Sequence, residues 1–266
     1  MDLGLNAKTA IVTGGASNIG KAIAEGLVAE GANVVIADVD ATQAEKVARQ
    51  LRETGPGDAL FIEADVTSAA QIEAMAARAI KHFGQIDILI NNAGWTANGL
   101  FLEKPVEDFE REIAINLWGP INCVRAIAPA MIERAYGKII TIGSDAGRVG
   151  EYQEAVYSAC KGGIIAWSKA LAREFGKFNL NVNVVCPGLT LPESDDDAGA
   201  NSLWHSESHQ SQIFKNEEVL AKVVRRYPLR RHGVPSDIVP LVLLLASDKS
   251  SYTTGQVVSV SGGYAM

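Results

Sequence analysis

The sequence has no surplus of positive charge, few cysteines and few aromatic residues. Lys and Arg number 24 against 31 Asp and Glu, a net charge of -7, so no basic field is present to hold nucleic acid or an anionic membrane surface. The three cysteines, Cys123, Cys160 and Cys186, lie far apart in the chain. Their spacing fits neither a disulfide framework nor a metal site, and it predicts reduced thiols in the core.

The chain also lacks long apolar runs. Its start, MDLGLNAKTA, has no charged segment followed by an apolar one, and no stretch reaches the length of a membrane span. We therefore expect a soluble, cytoplasmic protein with no metal. With 266 residues, 47% of them apolar and only 6% aromatic, the chain is long enough for one large α/β domain spanning 1–266.

Short apolar runs alternate with amphipathic stretches along the whole chain. In 69–83, for example, Ile72, Met75, Ala76, Ala79, Ile80 and Phe83 fall on one helical face. Strict alternation predicts a doubly wound parallel sheet of about seven strands, a Rossmann-type fold with helices on both faces. The predicted strands are 9–13, 33–38, 59–65, 86–94, 137–144, 181–188 and 256–263.

Residues 189–215 break this periodicity and are too long for an ordinary connection. Two interpretations remain, a disordered insertion or a mobile lid. The position after the sixth strand favours a substrate lid, which we place at approximately 189–225. Its acidic stretch ESDDD is expected to be a solvated tip that disfavours strongly anionic substrates.

A glycine-rich turn joins the first strand to the first helix, the arrangement that seats a phosphate against backbone amides and a helix N-terminus. Gly14 and Gly20 bracket the turn, and Asn18 stands where a third glycine is usual. Asn tolerates positive φ best after Gly, so Asn18 is predicted to keep the bend. Its side chain is expected either to touch a phosphate or to cap a helix that starts at Ile19.

Asp38 follows the turn by roughly 20 residues, at the end of the second strand. A carboxylate there accepts the hydroxyls of an adenosine ribose and repels a 2′-phosphate. Ser17 and Val39 stand where an NADP site would place Arg or Lys. The sequence therefore predicts NAD as the cofactor.

Tyr157 and Lys161 are four residues apart in a predicted helix, 154 to about 176, and so share one face. An ammonium about 4 Å from a phenol contributes roughly 4 kcal/mol at an effective dielectric constant of about 20, enough to lower the phenol pKa by about 3 units. Ser144, at the carboxyl end of the fifth strand, is placed to hydrogen-bond a reacting oxygen.

Taken in order, these motifs make the chain similar to the short-chain dehydrogenase/reductase family over nearly its whole length. They are Thr13-Gly14 with Gly20, NNAG at 91–94, Asn116, Ser144, Tyr157-x-x-x-Lys161 and Pro187-Gly188. Two departures are Asn18, in place of the middle glycine, and Gly143, where a Ser often precedes the substrate-orienting Ser.

The resemblance implies an NAD-dependent oxidoreductase that interconverts a secondary alcohol and a ketone. It makes Tyr157 the general acid/base, Ser144 the residue that orients the substrate oxygen, and Lys161 the residue that holds the ribose hydroxyls and lowers the Tyr157 pKa. Asn116 would anchor a water of the proton relay. The predicted cofactor contacts are Gly14, Ser17, Asn18, Ile19, Gly20, Asp38, Asp65, Val66, Asn91, Ala93, Gly94, Tyr157, Lys161, Pro187, Gly188 and Thr190.

The substrate, a small cyclic, aromatic or sugar-like molecule, is expected to meet Trp95, Ser144, Glu151, Tyr152, Leu189 and Trp204. Arg148 is able to fork onto a carboxylate, so acids stay open as substrates.

Structural alternatives exist for several of these residues. Asn116 is open to interpretation as a helix-distorting residue, Asn91 as a bridge between strands, Asp65 as a helix N-cap, and Trp204 as packing under the lid. A catalytically idle NAD-binding scaffold is the alternative function, although an idle site has no need for a matched acid/base set.

Helices predicted at 103–135 and 154–176 carry apolar residues on more than one face. One sheet face cannot cover them all, so we expect pairing between copies of the chain. The C-terminal SVSGGYAM, ending in Tyr264 and Met266, is a second candidate contact. Two different two-fold interfaces generate a homotetramer, which is also what the resemblance implies.

Overall fold

A seven-stranded sheet, parallel throughout, forms the centre of the protein, whose computed structural model describes residues 2–266. The strand order is β3-β2-β1-β4-β5-β6-β7, so the order reverses between β1 and β4 and opens a crevice there. The predicted doubly wound sheet is confirmed. The strands are β1 (Thr9–Thr13), β2 (Asn33–Asp38), β3 (Ala59–Glu63), β4 (Ile88–Asn91), β5 (Gly137–Ile142), β6 (Leu180–Pro187) and β7 (Val257–Val260).

Helices cover both faces of the sheet. They are α1 (Asn18–Ala29), α2 (Ala41–Thr54), α3 (Ala69–Phe83), α4 (Val106–Ile113), α5 (Gly119–Glu133), α6 (Ala146–Val149), α7 (Ala155–Phe175), α8 (His209–Lys215), α9 (Glu217–Val224) and α10 (Pro235–Ala246). None of the helices in residues 2–266 is long and apolar enough to cross a membrane.

Two apolar cores, one on each face of the sheet, lie between the helices and the sheet. Ile23 of α1 and Val242 of α10 pack on one face, and Ile72 of α3 and Ile127 of α5 pack on the other. All four side chains are fully buried, and each such burial stabilises the fold by about 1.5–3 kcal/mol. The three cysteines lie buried as free thiols.

The predicted helix at 103–135 is not one regular helix. A five-residue π-helical segment, Ala114–Trp118, interrupts it between α4 and α5. Asn116 at its centre donates from Nδ2 to the carbonyl oxygens of Glu112, at 2.9 Å, and Trp95, at 2.6 Å. This side-chain bonding competes with the regular helical ladder, so the prediction of one helix was wrong and the helix-distorting interpretation of Asn116 is confirmed.

The segment after β6 is irregular at first and ends in two short helices. Thr190 pairs with Gly233 in a parallel bridge, Asp195–Asp197 form one turn of 3-10 helix, and α8 and α9 follow. Short helices of seven and eight residues leave too little periodicity for sequence reasoning to detect.

Candidate active site

A cleft of about 730 Å³ opens at the carboxyl ends of the strands, where the sheet order reverses. Most of the residues predicted from the sequence to form the site line it. Asn91, Asn116 and Arg148 do not. The predicted residues on the cleft wall are Gly14, Ser17, Asn18, Ile19, Gly20, Asp38, Asp65, Val66, Ala93, Gly94, Trp95, Ser144, Glu151, Tyr152, Tyr157, Lys161, Pro187, Gly188, Leu189, Thr190 and Trp204.

The turn between β1 and α1 bends as the sequence predicts. Gly14 has a φ of +62° and Asn18 a φ of +47°, both in the left-handed region. A Cβ at Gly20 would lie 2.0 Å from the carbonyl oxygen of Gly14, so only glycine permits this close approach.

The Asn18 side chain does not cap the helix, because α1 begins at Asn18 itself and Ser17 holds the N-cap position. The buried Oδ1 of Asn18 has no hydrogen-bond partner among the described residues. This acceptor lies on the cleft wall, beside the turn at Gly20 where a Cβ would leave no room. Both features fit a bound dinucleotide, whose hydroxyl groups can donate a hydrogen bond to Oδ1.

Asn92, which sequence reasoning missed, fixes this turn to the neighbouring loop. Its Nδ2 donates to the carbonyl oxygens of Thr13, at 2.9 Å, and Gly14, at 3.0 Å. Asn91, predicted to contact the cofactor, points instead toward β5 and donates to Thr141 Oγ1 at 3.4 Å. The structure therefore shows Asn91 as a bridge between strands β4 and β5. Asn91 and Asn92 point to opposite sides because successive side chains of a strand alternate.

At the adenosine end of the cleft, Asp38 accepts from the amides of Ala16 and Asp40, each at 3.0 Å. Burial raises the pKa of Asp38, and these two amides oppose the shift. Asp65 accepts from the Thr67 amide at 2.9 Å in a turn of its own. Ser68, not Asp65, caps α3, so the N-cap alternative for Asp65 was wrong.

Tyr157, Lys161 and Ser144 converge at the centre of the cleft. Helix α7 presents the first two on one face, and the loop after β5 presents Ser144. Lys161 Nζ donates to the carbonyl oxygen of Ile142 at 2.9 Å, which fixes the ammonium beneath the cleft. Burial lowers the pKa of Lys161 to about 8.

The sequence predicts that Lys161 lowers the pKa of Tyr157, but the net shift of that pKa in this structure is upward. Burial of the phenol raises its pKa, the Glu154 carboxylate raises it further, and the Ser144 hydroxyl acts in the opposite direction. The cost of removing a charged phenolate from water exceeds the attraction of one ammonium at this distance, so the phenol keeps its proton.

Asn116 lies behind the wall of the cleft. Its Oδ1 accepts from the Trp95 amide at 3.2 Å, and its Nδ2 is already bonded to two carbonyl oxygens. The side chain therefore positions the loop that carries Trp95 and has little capacity left to anchor a water.

The substrate side of the cleft is mixed in character. The Arg111 guanidinium stacks 4.2 Å from the centre of the Trp95 ring. Trp204 also packs against Phe214, with ring centres 6.0 Å apart, so it both lines the cleft and holds the segment after β6 in place.

Arg148 does not face the cleft. It donates to Ser259 Oγ and, at 3.4 Å, to the carbonyl oxygen of Ala265, so its predicted role in binding an acid was wrong. Arg226 lines this side together with Arg111, and its Nη1 lies 3.4 Å from Glu151 Oε1.

Two further side chains line this side that sequence reasoning missed. Tyr264, near the C-terminus, donates to Glu151 and accepts from Arg226, and its ring stacks on Tyr227 with centres 4.9 Å apart. Glu154 stands one helical turn before Tyr157, and burial together with the nearby Glu151 and Glu112 raises its pKa to about 7.

Known proteins resemble this chain over almost its full length. A family profile described as "Enoyl-(Acyl carrier protein) reductase" matches residues 14–265. An uncharacterized oxidoreductase of Mycobacterium bovis is 37% identical over 259 residues, 97% of each chain. The 3-oxoacyl-(acyl-carrier-protein) reductase FabG of Staphylococcus aureus is 34% identical over 260 residues, 97% of this chain and 98% of the relative.

Among solved structures, one described as "a putative gluconate dehydrogenase" from Agrobacterium tumefaciens superimposes with a TM-score of 0.87. It is 32% identical, and the match covers 98% of this chain and 96% of the other.

Proposed function

The chain belongs to the short-chain dehydrogenase/reductase family, whose members are oxidoreductases that use a nicotinamide cofactor, and from this premise we propose an NAD-dependent enzyme that interconverts a secondary alcohol and a ketone. The observation that carries the proposal is the convergence of Tyr157, Ser144 and Lys161 in the cleft that also holds the Gly14–Gly20 turn. An idle scaffold would have no use for this acid/base set.

NAD rather than NADP is proposed because of Asp38. Its carboxylate closes the adenosine end of the cleft, where a ribose 2′-hydroxyl donates hydrogen bonds and a 2′-phosphate would meet a negative charge. Asp40 adds a second carboxylate beside it.

The residues of the site divide the chemistry between them. Bound NAD supplies the hydride acceptor, and NADH the donor. Tyr157 gives a proton to the ketone oxygen in reduction and takes it back in oxidation, while the Ser144 hydroxyl holds that oxygen in place. Lys161, charged below its pKa of about 8, favours the phenolate form and offers an ammonium to ribose hydroxyls.

The proposed substrate is a small cyclic, aromatic or sugar-like molecule. Trp95 and Trp204 present flat apolar faces, and Glu151, Glu154 and Arg226 offer polar contacts. The mixed wall suits a polyhydroxylated molecule, in keeping with the description of the Agrobacterium relative as a gluconate dehydrogenase. We also propose that 189–225 acts as a lid that orders over the substrate, since Leu203 and Phe214 lie on the cleft wall.

A panel of secondary alcohols and ketones, followed by the absorbance of NADH and repeated with NADP(H), tests this proposal. We expect turnover with at least one polyol or cyclic alcohol and a clear preference for NAD(H). Tight NADH binding without turnover of any compound would support the scaffold alternative.

We further propose a cytoplasmic homotetramer whose partner molecules are its small substrate and its own copies, with no nucleic acid or membrane. The support is a groove of about 260 Å³ between α5 and α7, lined by Ile121, Val124, Trp167, Leu171 and neighbouring side chains. Of the two residues proposed for the C-terminal contact, Tyr264 stacks on Tyr227 within the chain and Met266 is exposed.

A further inference from the structure

The segment Ser194–Ser202, which we call the strap, crosses the outside of the dinucleotide-binding turn. Asp197 is its fixed point. Asp197 Oδ1 lies 2.5 Å from Lys21 Nζ of α1, and Oδ2 accepts from the amide and the hydroxyl of Ser194 at 2.9 and 2.8 Å. Both carboxylate oxygens are thus used, one to fold the strap and one to attach it to α1.

The strap is held along its length by contacts beyond this ion pair. The Gln43 side chain of α2 donates to the carbonyl oxygen of Asp196 at 3.1 Å, and the Gly199 amide donates to Ser17 Oγ at 2.9 Å. Ala198 is buried, with 7% of its surface exposed. Glu193, Asp195 and Asp196 are exposed, as the sequence predicts for a solvated tip, whereas Asp197 and Ala198 attach the stretch to the cofactor side of the fold.

Gly199 lies between the two sides of the adenosine end. It bonds to Ser17 on one side, and on the other a Cβ at Gly199 would come within 2.6 Å of Asp40 Oδ2. A carboxylate at the position of Asp38 meets the ribose 2′-hydroxyl in dinucleotide-binding folds. The main chain of the strap at Gly199 therefore lies against Ser17 and Asp40, two residues that line the cleft together with Asp38.

The strap also neutralises a cation at this edge of the fold. Lys21 faces Asp197 at 2.5 Å and Glu25 at 3.7 Å, and its side chain is only 15% exposed. An ammonium held between two carboxylates has no charge to offer a phosphate, whereas Asp38 and Asp40 keep theirs on the cleft wall.

We propose that the strap is a second determinant of cofactor choice, and that Asp197 positions it through Lys21 so that it excludes a 2′-phosphate by bulk and by charge. This inference rests on the proposed preference for NAD. Two residues or segments then contribute to the preference for NAD. Asp38 recognises the ribose hydroxyls, and the strap occupies the space that a 2′-phosphate needs. Replacing Asp38 alone should then leave NADPH binding still impaired.

The test measures dissociation constants for NADH and NADPH by nucleotide fluorescence, without turnover. Asp197→Asn is compared with Asp195→Asn, which removes the same charge from an exposed position in the same strap, each in an Asp38→Ala background. We expect the ratio of the NADPH to the NADH dissociation constant to be lower by about fivefold or more in the Asp197 variant. Hydrogen exchange at 194–199 should be faster in that variant only.

The outcomes distinguish the role of the strap from the proposed preference for NAD. Equal ratios in the two variants, or unchanged exchange of the strap in Asp197→Asn, would overturn the role of the strap while leaving NAD preference intact. A wild-type protein that binds NADPH as tightly as NADH would instead contradict the preference for NAD, and the strap proposal with it.

Discussion

The Nζ of Lys161 lies 5.5 Å from the centre of the Tyr157 ring, held there by the carbonyl oxygen of Ile142. The ammonium is thus held by a hydrogen bond to the last residue of the buried strand β5 and not by the phenol of Tyr157. Because burial raises the pKa of Tyr157, the phenol is in its acid form at neutral pH. The protonated phenol is the form that the proposed reduction of a ketone requires.

The first prediction concerns that proton. Tyr157→Phe removes only the phenolic oxygen, so turnover should fall by about 10²- to 10⁴-fold while NADH binds with near-normal affinity. Steady-state rates and NADH fluorescence measure the two effects. Tyr252→Phe, at a fully exposed tyrosine, is the matched control. A Tyr157→Phe enzyme that keeps more than about a hundredth of the rate would exclude the phenol as the acid/base.

Glu154 should set part of the pH dependence. Its pKa of about 7 means that the carboxylate is largely ionised above pH 7, where its negative charge raises the pKa of Tyr157. Alcohol oxidation needs the phenolate, so its rate rises with pH as Tyr157 loses its proton. Glu154→Gln removes the opposing charge and should move this rise to lower pH by roughly half a unit to one unit.

The measurement is kcat/KM for alcohol oxidation as a function of pH. Glu154→Asp keeps the charge and is expected to leave the rise near its wild-type position. A Glu154→Gln profile that coincides with the wild type, or moves to higher pH, would show that Glu154 does not act on Tyr157 electrostatically.

Gly20→Ala should abolish NADH binding. The added methyl group would fall 2.0 Å from the Gly14 carbonyl oxygen and 2.5 Å from Asn92 Nδ2, so the turn must open and lose its shape. Gly176→Ala is the control, because that glycine has a φ of -55° and open space around it. The control should bind NADH normally and gain about 0.4–1 kcal/mol of stability. Equal NADH affinity in both variants would contradict this account of the turn.

Sequence reasoning succeeded where the signal is local. Strand β5 ends in four consecutive β-branched residues, the Gly14–Gly20 turn has its glycines at fixed offsets, and Tyr157 and Lys161 are neighbours on one helix. The spacing from the turn to Asp38 also follows from the length of one strand–helix–strand unit.

It failed where the outcome depends on how distant parts of the chain meet. Asn91 and Asn92 are identical side chains, and only the register of β4 on β1 decides which of them faces the turn. Arg226 reaches the cleft from the turn that follows α9, and Tyr264 reaches it from near the C-terminus. Asp197 meets Lys21 across 176 residues of sequence, and no local pattern encodes that separation.

Breaking the buried Lys104–Glu112 ion pair should destabilise the protein strongly. Its side chains are 3% and 0% exposed, and the Glu112 carboxylate also accepts from Thr96 Oγ1 at 3.0 Å and from the Ala97 amide at 3.1 Å. Glu112→Gln leaves a buried ammonium without its counter-charge, which should lower the free energy of unfolding by about 3–5 kcal/mol.

Denaturant titration measures this loss. Glu45→Gln is the control, since its pair with Arg52 is 61% and 39% exposed and should contribute no more than about 1 kcal/mol. A loss in Glu112→Gln as small as that of the control would mean that the buried pair is not stabilising.

The last prediction is the homotetramer. Helices α5 and α7 leave an apolar groove, and Trp167 and Leu171 of α7 line it opposite Ile121 and Val124 of α5. A second copy related by a two-fold axis would cover the same groove on both molecules and form a four-helix contact. Trp167→Glu places a charge in that contact, where it would be desolvated without a partner, and should reduce the assembly to a smaller species.

Light scattering at micromolar concentration should give about four times the chain mass of 28.3 kDa for the wild type and a lower mass for Trp167→Glu. Tyr252→Glu introduces the same charge at a fully exposed site and should keep the wild-type mass. A monomer mass for the wild type would refute the association. A dimer mass would show that only one of the two surfaces pairs. The C-terminal surface would then be the weaker candidate, because Tyr264 already contacts Tyr227 and Glu151 within the chain.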